Sequence, residues 1–332
     1  MPGTFRDSAG KRVVRESWDT PLLRHLHDEY GFRYRYFGLP GVDLLDLQLW
    51  NDMIEDVIAF EVDAPGSDKR RNIETLRANL RFLGKPAVTY YGPFEFVVMQ
   101  RRDWDGREYK PDRVITLYNL DFCDEICSRI DTREYGVQAW RFEALRQVLR
   151  DQEECYRTHD GPNWFVFMLT VRDQMDGRRL AAFLGESLLS DTEAYRQCCE
   201  PIRPIPLSGS ALGTHTWAIK AFLHNTMRGY LTNPHVAALF FPLIRYQGTP
   251  VRTPEGFLQS PMLHWIIFCQ FDNPQRATPR FYPRGFLRDV ATLRGEPGVG
   301  VATDVQPGEN GLYEVASPAD WFRRHRRWFT LK

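Results

Sequence analysis

Three short stretches of this chain carry side chains of the kind that bind and activate small polar ligands. "FGLPG" (37–41) follows a run of aromatics with two glycines, Gly38 and Gly41; "DVIAFEVD" (56–63) ends in Glu61 and Asp63; "YNLDFCD" (118–124) holds Asn119, Asp121 and Phe122. Glycine has no Cβ to collide with a ligand and takes positive φ readily, so a turn of Phe37, Gly38 and Gly41 would let backbone approach a bound group. A carboxylate about twenty residues beyond such a turn can accept hydrogen bonds from both hydroxyls of a ribose. Glu61 is the first choice for that role and Asp63 the second. Asp121 could orient an amine or hydroxyl and take its proton. Each stretch also has a plainer reading: a tight corner, acids that merely end a strand, and an aspartate that caps the following helix.

The elements needed to hold these residues read as alternating strands and helices, the pattern of a mostly parallel sheet with helices packed on it. Strands are expected at 32–38, 56–63, 87–92, 113–124 and 161–173, with 94–100 as a neighbour of the third strand or its kinked continuation. Helices are expected at 42–54, where Leu44, Leu45, Leu47, Leu49 and Met53 share a side, and at 68–84 and 138–157. Beyond 173 the alternation breaks. Helical stretches near 176–189 and 191–199 lead into the Pro- and Ser-containing 200–213, and a helix at 214–231 precedes two apolar runs, 237–246 and 261–271. These two runs are expected to form an antiparallel hairpin appended to the sheet. The domain reading is an N-terminal arm (1–30), a Rossmann-type domain (31–272) with an inserted lid at about 174–213, and a C-terminal extension (273–332).

Composition narrows the chemistry. The 332 residues include 43 Lys plus Arg and 43 Asp plus Glu, so zero formal charge exerts no overall pull on polyanions. The N-terminal residues lack the apolar core of a signal peptide and no long uncharged run is present, so a cytoplasmic protein with no membrane association is the expectation. The six cysteines form no CxxC pair, which favours free thiols over zinc ligation, although Cys123 and Cys127 stand close enough to leave a redox or metal role open. His25 and His27 have no second cluster to complete a metal site, and His215, His224 and His264 read as lone histidines, so no metal is expected. No phosphate-binding loop, HExxH helix or GxSxG elbow is present. Local basic, aromatic stretches at 277–288 and 320–329 could bind phosphates and stack on bases, or dock on the protein itself, leaving a nucleic-acid or protein partner as alternatives.

Five alternating strand–helix units followed by a helix and a hairpin resemble the layout of the class I S-adenosylmethionine-dependent methyltransferases over roughly residues 30–272. "LDFC" (120–123) is loosely similar to a motif of predicted three-Cys-motif partner proteins, a methyltransferase-like family of bacterial mobile and defence loci. The resemblance implies S-adenosylmethionine as cofactor, held by Phe37, Gly38, Gly41, Glu61 and Asp63, and an acceptor site at Asn119, Asp121 and Phe122, where amino-methylating DNA enzymes carry a DPPY-like tetrad whose prolines are missing here. It implies a methyltransferase acting on nucleic acid, or alternatively an inactive binding or scaffolding subunit of a defence or nucleic-acid-processing complex.

Overall fold

A computed structural model describes residues 9–63, 70–132 and 137–172, together with the strand segments 236–240, 244–247, 251–253, 256–258, 261–271 and 299–301. The expected lid, the helix at 214–231 and the basic stretches at 277–288 and 320–329 lie outside the described residues.

The centre is a sheet whose parallel strands are β1 (Tyr34–Gly38), β2 (Ile54–Glu61), β3 (Ala87–Tyr91), β4 (Leu117–Asp121) and, after the short hairpin β5 (Arg129–Thr132) and β6 (Val137–Trp140), β7 (Trp164–Arg172). Strands β8 (Val236–Phe240) and β9 (Ile244–Gln247) follow, then the small pair β10 (Val251–Thr253) and β11 (Gly256–Leu258), the long β12 (Pro261–Phe271) and β13 (Val299–Val301). Both β8 and β9 run antiparallel to β12, which itself runs antiparallel to β7. The order β3-β2-β1-β4-β7-β12-β9 is that of the class I methyltransferase fold, with one reversed strand inserted beside the fifth parallel one. The expected terminal hairpin is therefore present, its first arm broken into two strands.

The helices differ from the sequence reading in three places. Residues 9–30 form one helical run, α1 (Ala9–Val14), a π-helical turn (Arg15–Asp19) and α2 (Thr20–Tyr30), which buries Val14, Trp18, Leu22, Leu23 and Leu26 against the sheet. Pro21 explains the wider turn, since its ring cannot donate a backbone hydrogen bond and collides with the carbonyl four residues earlier. The expected helix at 42–54 shrinks to α3 (Leu45–Leu49), because Leu44 takes a positive φ of 53° and the chain must turn into β2 at Ile54. Residues 94–100, read as β-like, form a helix, α5 (Phe94–Gln100), after α4 (Arg71–Leu83). Phe94, Phe96, Val97 and Val98 are all buried there and Glu95 is buried against the Arg141 guanidinium, so tertiary packing overrides their β propensity. α6 (Arg141–Thr158) starts where Glu143 accepts a hydrogen bond from the Trp140 N–H, at 3.3 Å.

Alternation along the strands sends side chains to two cores. Tyr34, Tyr36, Leu117, Val166, Met168 and Ile266 face the N-terminal helical run, α3 and α4; Phe37, Phe60, Tyr118, Phe167 and Trp265 face α5 and α6. Gly38 ends β1 opposite Asn119, and a Cβ built on it would lie 2.1 Å from the Asn119 carbonyl oxygen. Gly41 has a positive φ of 64° but open space around it. Gly38→Ala is accordingly expected to lower stability by about 2 kcal/mol or more through forced separation of β1 and β4, and Gly41→Ala by about 1 kcal/mol through backbone strain alone, both read from denaturant unfolding.

Candidate functional site

Strand β1 has β2 on one side and β4 on the other, so the order of strands reverses here and a crevice opens beyond their carboxyl ends. Ala59, Gly38 and Asn119 lie side by side across these three strands. Glu61 and Asp121 each stand two residues further on, so they bracket the turn that leaves β1. Adjacent strands lie about 4.8 Å apart, which places the two carboxylates roughly 10 Å from one another. Both share the strand face of Gly38.

Glu61 is the bare acid of the pair. Among the described residues no basic side chain approaches it, and its carboxylate accepts only the Val62 N–H, at 2.9 Å. Burial is the largest influence on it, with repulsion from Asp63 acting the same way against the Val62 hydrogen bond, and the carboxyl is pushed up to about 7. Val62 beside it is 37% exposed and offers an apolar surface at the same rim. Asp63 is committed elsewhere. Its two oxygens accept the backbone N–H groups of Arg70 and Asn72, at 2.7 and 2.8 Å, which ties it to the start of α4.

On the other side, Asn119 donates to the Asp46 carboxylate at 2.7 Å and to the Tyr36 hydroxyl at 3.4 Å. Asp46 projects from α3 and is largely buried. Burial raises its carboxyl, against the lowering influence of Arg15 and Lys11. Arg15 donates to Asp46, and Lys11 pairs with Asp121. Burial alone would lower the Lys11 ammonium; the neighbouring Asp121, Cys123 and Asp46 more than reverse this and hold it above its ordinary value. Four residues further along, Asp19 meets His264 Nε2 at 2.9 Å, while Thr170 lies 2.7 Å from His264 Nδ1. Asp121, Thr170 and His264 are register partners on β4, β7 and β12, so the helical run is fastened along one row of the sheet.

The expected site residues thus divide between two faces. Gly38, Glu61, Asn119 and Asp121 converge on the crevice with Gly41 in the turn above it. Phe37 and Phe122 point to the opposite face, where Phe37 packs on Phe60 and Tyr118 and Phe122 lies between Phe94 and the Arg141 guanidinium, 4.2 Å from its ring. Period-two alternation puts them there, so neither forms a ligand contact in this crevice. Lys11, Arg15, Asp46 and Asp19 were missed as site residues; their signals were the four-residue spacing of 11, 15 and 19, and an acid inside the apolar "LLDLQL". His264 is a core histidine satisfied by its neighbours, and His25 and His27 lie half-buried on α2 rather than on an exposed arm. Cys123, Cys127, Cys155 and Cys269 are free thiols, and no group of three or more potential metal ligands occurs among the described residues. No helix among the described residues is long and apolar enough to cross a membrane.

No family model and no curated protein matches the chain. Solved structures similar to it include the O-methyltransferase TomG from Streptomyces achromogenes, 8% identical over 77% of this chain and 80% of that one, TM-score 0.36. Others are the YcgJ protein from Bacillus subtilis, 9% identical over 76% and 98%, TM-score 0.35, and an O-methyltransferase from Bacillus cereus, 11% identical over 75% and 80%, TM-score 0.31. Strand order, rather than these distant overlaps, defines the fold.

Two measurements test this geometry. Arg15→Met strands the Asp46 carboxylate and is expected to cost about 3 kcal/mol, with Arg15→Met/Asp46→Leu recovering part of the loss in the same unfolding assay. Folded protein keeps a proton on Glu61 up to about pH 7, whereas the unfolded chain releases it near 4.5. Stability contributed by this site therefore falls as pH rises through that window. Glu61→Gln is expected to be more stable than the parent at pH 8 and indistinguishable from it at pH 4.

Proposed function

We propose that the crevice binds S-adenosylmethionine and that the chain is a methyltransferase. The observation that carries this reading is the bracketing of the β1 turn by Glu61 and Asp121 at the reversal of strand order. The residues fit the cofactor. Glu61, which no basic side chain among the described residues approaches, can accept the hydroxyls of a ribose; the Gly38–Gly41 turn leaves room for backbone approach; Val62 offers an apolar rest for a flat base. When bound, the cofactor supplies an electrophilic methyl group on a sulfonium. Asp121 would hold the acceptor's amine or hydroxyl and draw off its proton, while Asn119 acts indirectly by fixing Asp46 beneath the site. The basic aromatic stretches at 277–288 and 320–329 support a nucleic-acid partner through phosphate contacts and stacking.

A second reading is favoured by one observation: Lys11 and Arg15 already satisfy Asp121 and Asp46. A crest closed in this way suits a binding subunit that keeps the fold without the chemistry, since fold alone does not confer activity.

Calorimetric titration with S-adenosylmethionine and S-adenosylhomocysteine decides between them. Saturable binding is expected, weakened tenfold or more in Glu61→Gln, the loss of about one charge-assisted hydrogen bond. Because the hydroxyls bond best to ionised Glu61, whose carboxyl titrates near 7, affinity should rise about tenfold from pH 6 to pH 8 and be flat in Glu61→Gln. Folded protein that binds neither ligand at millimolar concentration would overturn the cofactor reading.

A further inference from the structure

The helical run over the crest does more than cover it. Lys11, Arg15 and Asp19 recur every four residues and engage three separate elements: Asp121 at the end of β4, Asp46 on α3, and His264 on β12. Of these contacts, only the first leaves its basic side chain appreciably accessible, Lys11 being 33% exposed against 8% for Asp121. Arg15 and Asp19 are buried, and Trp18 and Leu22 anchor the same run in the core. The turn carrying Lys11 packs on β9 and β13 and buries Val14, so Lys11 is the accessible one of the three on a segment that is otherwise held in place.

What sits on Asp121 is a primary ammonium on a flexible four-carbon stem. It lies beside the turn that leaves Gly38, on the carboxylate that the reading above assigns to the acceptor. An ammonium there satisfies three needs at once: it neutralises a side chain that is itself only 8% exposed, it donates hydrogen bonds to it, and it offsets the neighbouring Asp46. Any ligand that displaces Lys11 must supply the same charge and the same donors, or leave Asp121 buried and unpaired. A neutral hydroxyl or an anion does not meet that condition. A second alkylammonium does.

We propose that Asp121 is a seat for a primary alkylammonium and that Lys11 is its resident occupant, so that a ligand carrying an alkylammonium competes with the protein's own N-terminal helix for this crevice. The ammonium seat does not rest on the methyltransferase reading. Entry requires α1 to part from β9 and β13, Val14 included, while the run from Trp18 onward stays in place, and the π-helical turn ahead of Pro21 is where the helical hydrogen bonding already changes.

Lys11→Ala removes the resident ammonium and leaves a space the length of its stem beside Asp121. n-Butylammonium is expected to bind this variant saturably in the millimolar range by calorimetry and to raise its melting temperature. Binding should be at least tenfold weaker to the parent protein and lost in Lys11→Ala/Asp121→Asn, and n-butanol should not substitute. Hydrogen exchange on the parent protein supplies a check that needs no variant: n-butylammonium should speed exchange in residues 9–14 and leave α2 unchanged. Failure of folded Lys11→Ala to bind n-butylammonium, or equal binding of n-butanol, overturns the proposal, as does unchanged exchange in the parent protein at 100-fold more n-butylammonium than half-saturates the variant. S-Adenosylhomocysteine titrated into the same samples separates the two ideas. Its failure to bind, with n-butylammonium still bound, removes the methyltransferase reading and leaves the seat.

Discussion

Two carboxylates set at the carboxyl end of a parallel sheet, largely out of water, must be neutralised. Asp46 and Asp121 impose that requirement here, and the N-terminal helical run meets it with Arg15 and Lys11. The charges are held by a segment that also inserts Trp18, Leu22 and Leu26 into the core, so electrostatic and apolar contacts reinforce one another. Neutralisation by a paired and hydrogen-bonded cation offsets the desolvation that an isolated buried charge would suffer. The consequence for function is direct: residues 9–30, read as part of an N-terminal arm, form one wall of the crevice.

The close approach of β1 and β4 is the second organising feature. Leu39 donates to the Asn119 carbonyl at 3.1 Å, and the missing side chain of Gly38 makes that contact sterically feasible. Glycine is therefore required by a neighbouring strand at this position, whereas at Gly41 it is favoured by backbone conformation. On the far face, Arg141 bonds to Glu95 at 2.6 Å and to the Glu125 carbonyl at 2.6 Å while lying over Phe122. Asp124 accepts the Ser128 hydroxyl at 2.6 Å within the same loop. The residue after Asp121 is thereby locked into the opposite core, which leaves Asp121 itself aimed at the crevice.

Much of the sheet was legible because strand identity is written locally. Runs such as "DVIAFEVD" and "NWFVFMLTV" combine β-branched and aromatic residues with turn formers at their edges, and their sequence order suggests parallel pairing. The position of Glu61 was legible for a related reason, since its place at a strand end and its distance from Gly41 are properties of the chain alone. "FEFVVMQ" was misread because alternation of apolar residues does not distinguish a strand from a short helix buried on every side. The same alternation, applied to the site, would have assigned Phe37 and Phe122 to the face opposite Gly38 and Asp121.

Sequence by itself determined the five parallel strands, the glycine turn and the carboxylates at the strand ends, because each depends on residues within a few positions or on simple spacing. Tertiary structure alone decided which acids are paired and which is left bare. Arg15 meets Asp46 across 31 residues and Asp19 meets His264 across 245, separations at which no local pattern constrains the partner. Asp63 resembles Glu61 in the sequence, yet one is consumed by the start of a helix and the other meets, among the described residues, a single backbone donor, since only the folded geometry fixes which hydrogen-bond donors arrive at each carboxylate.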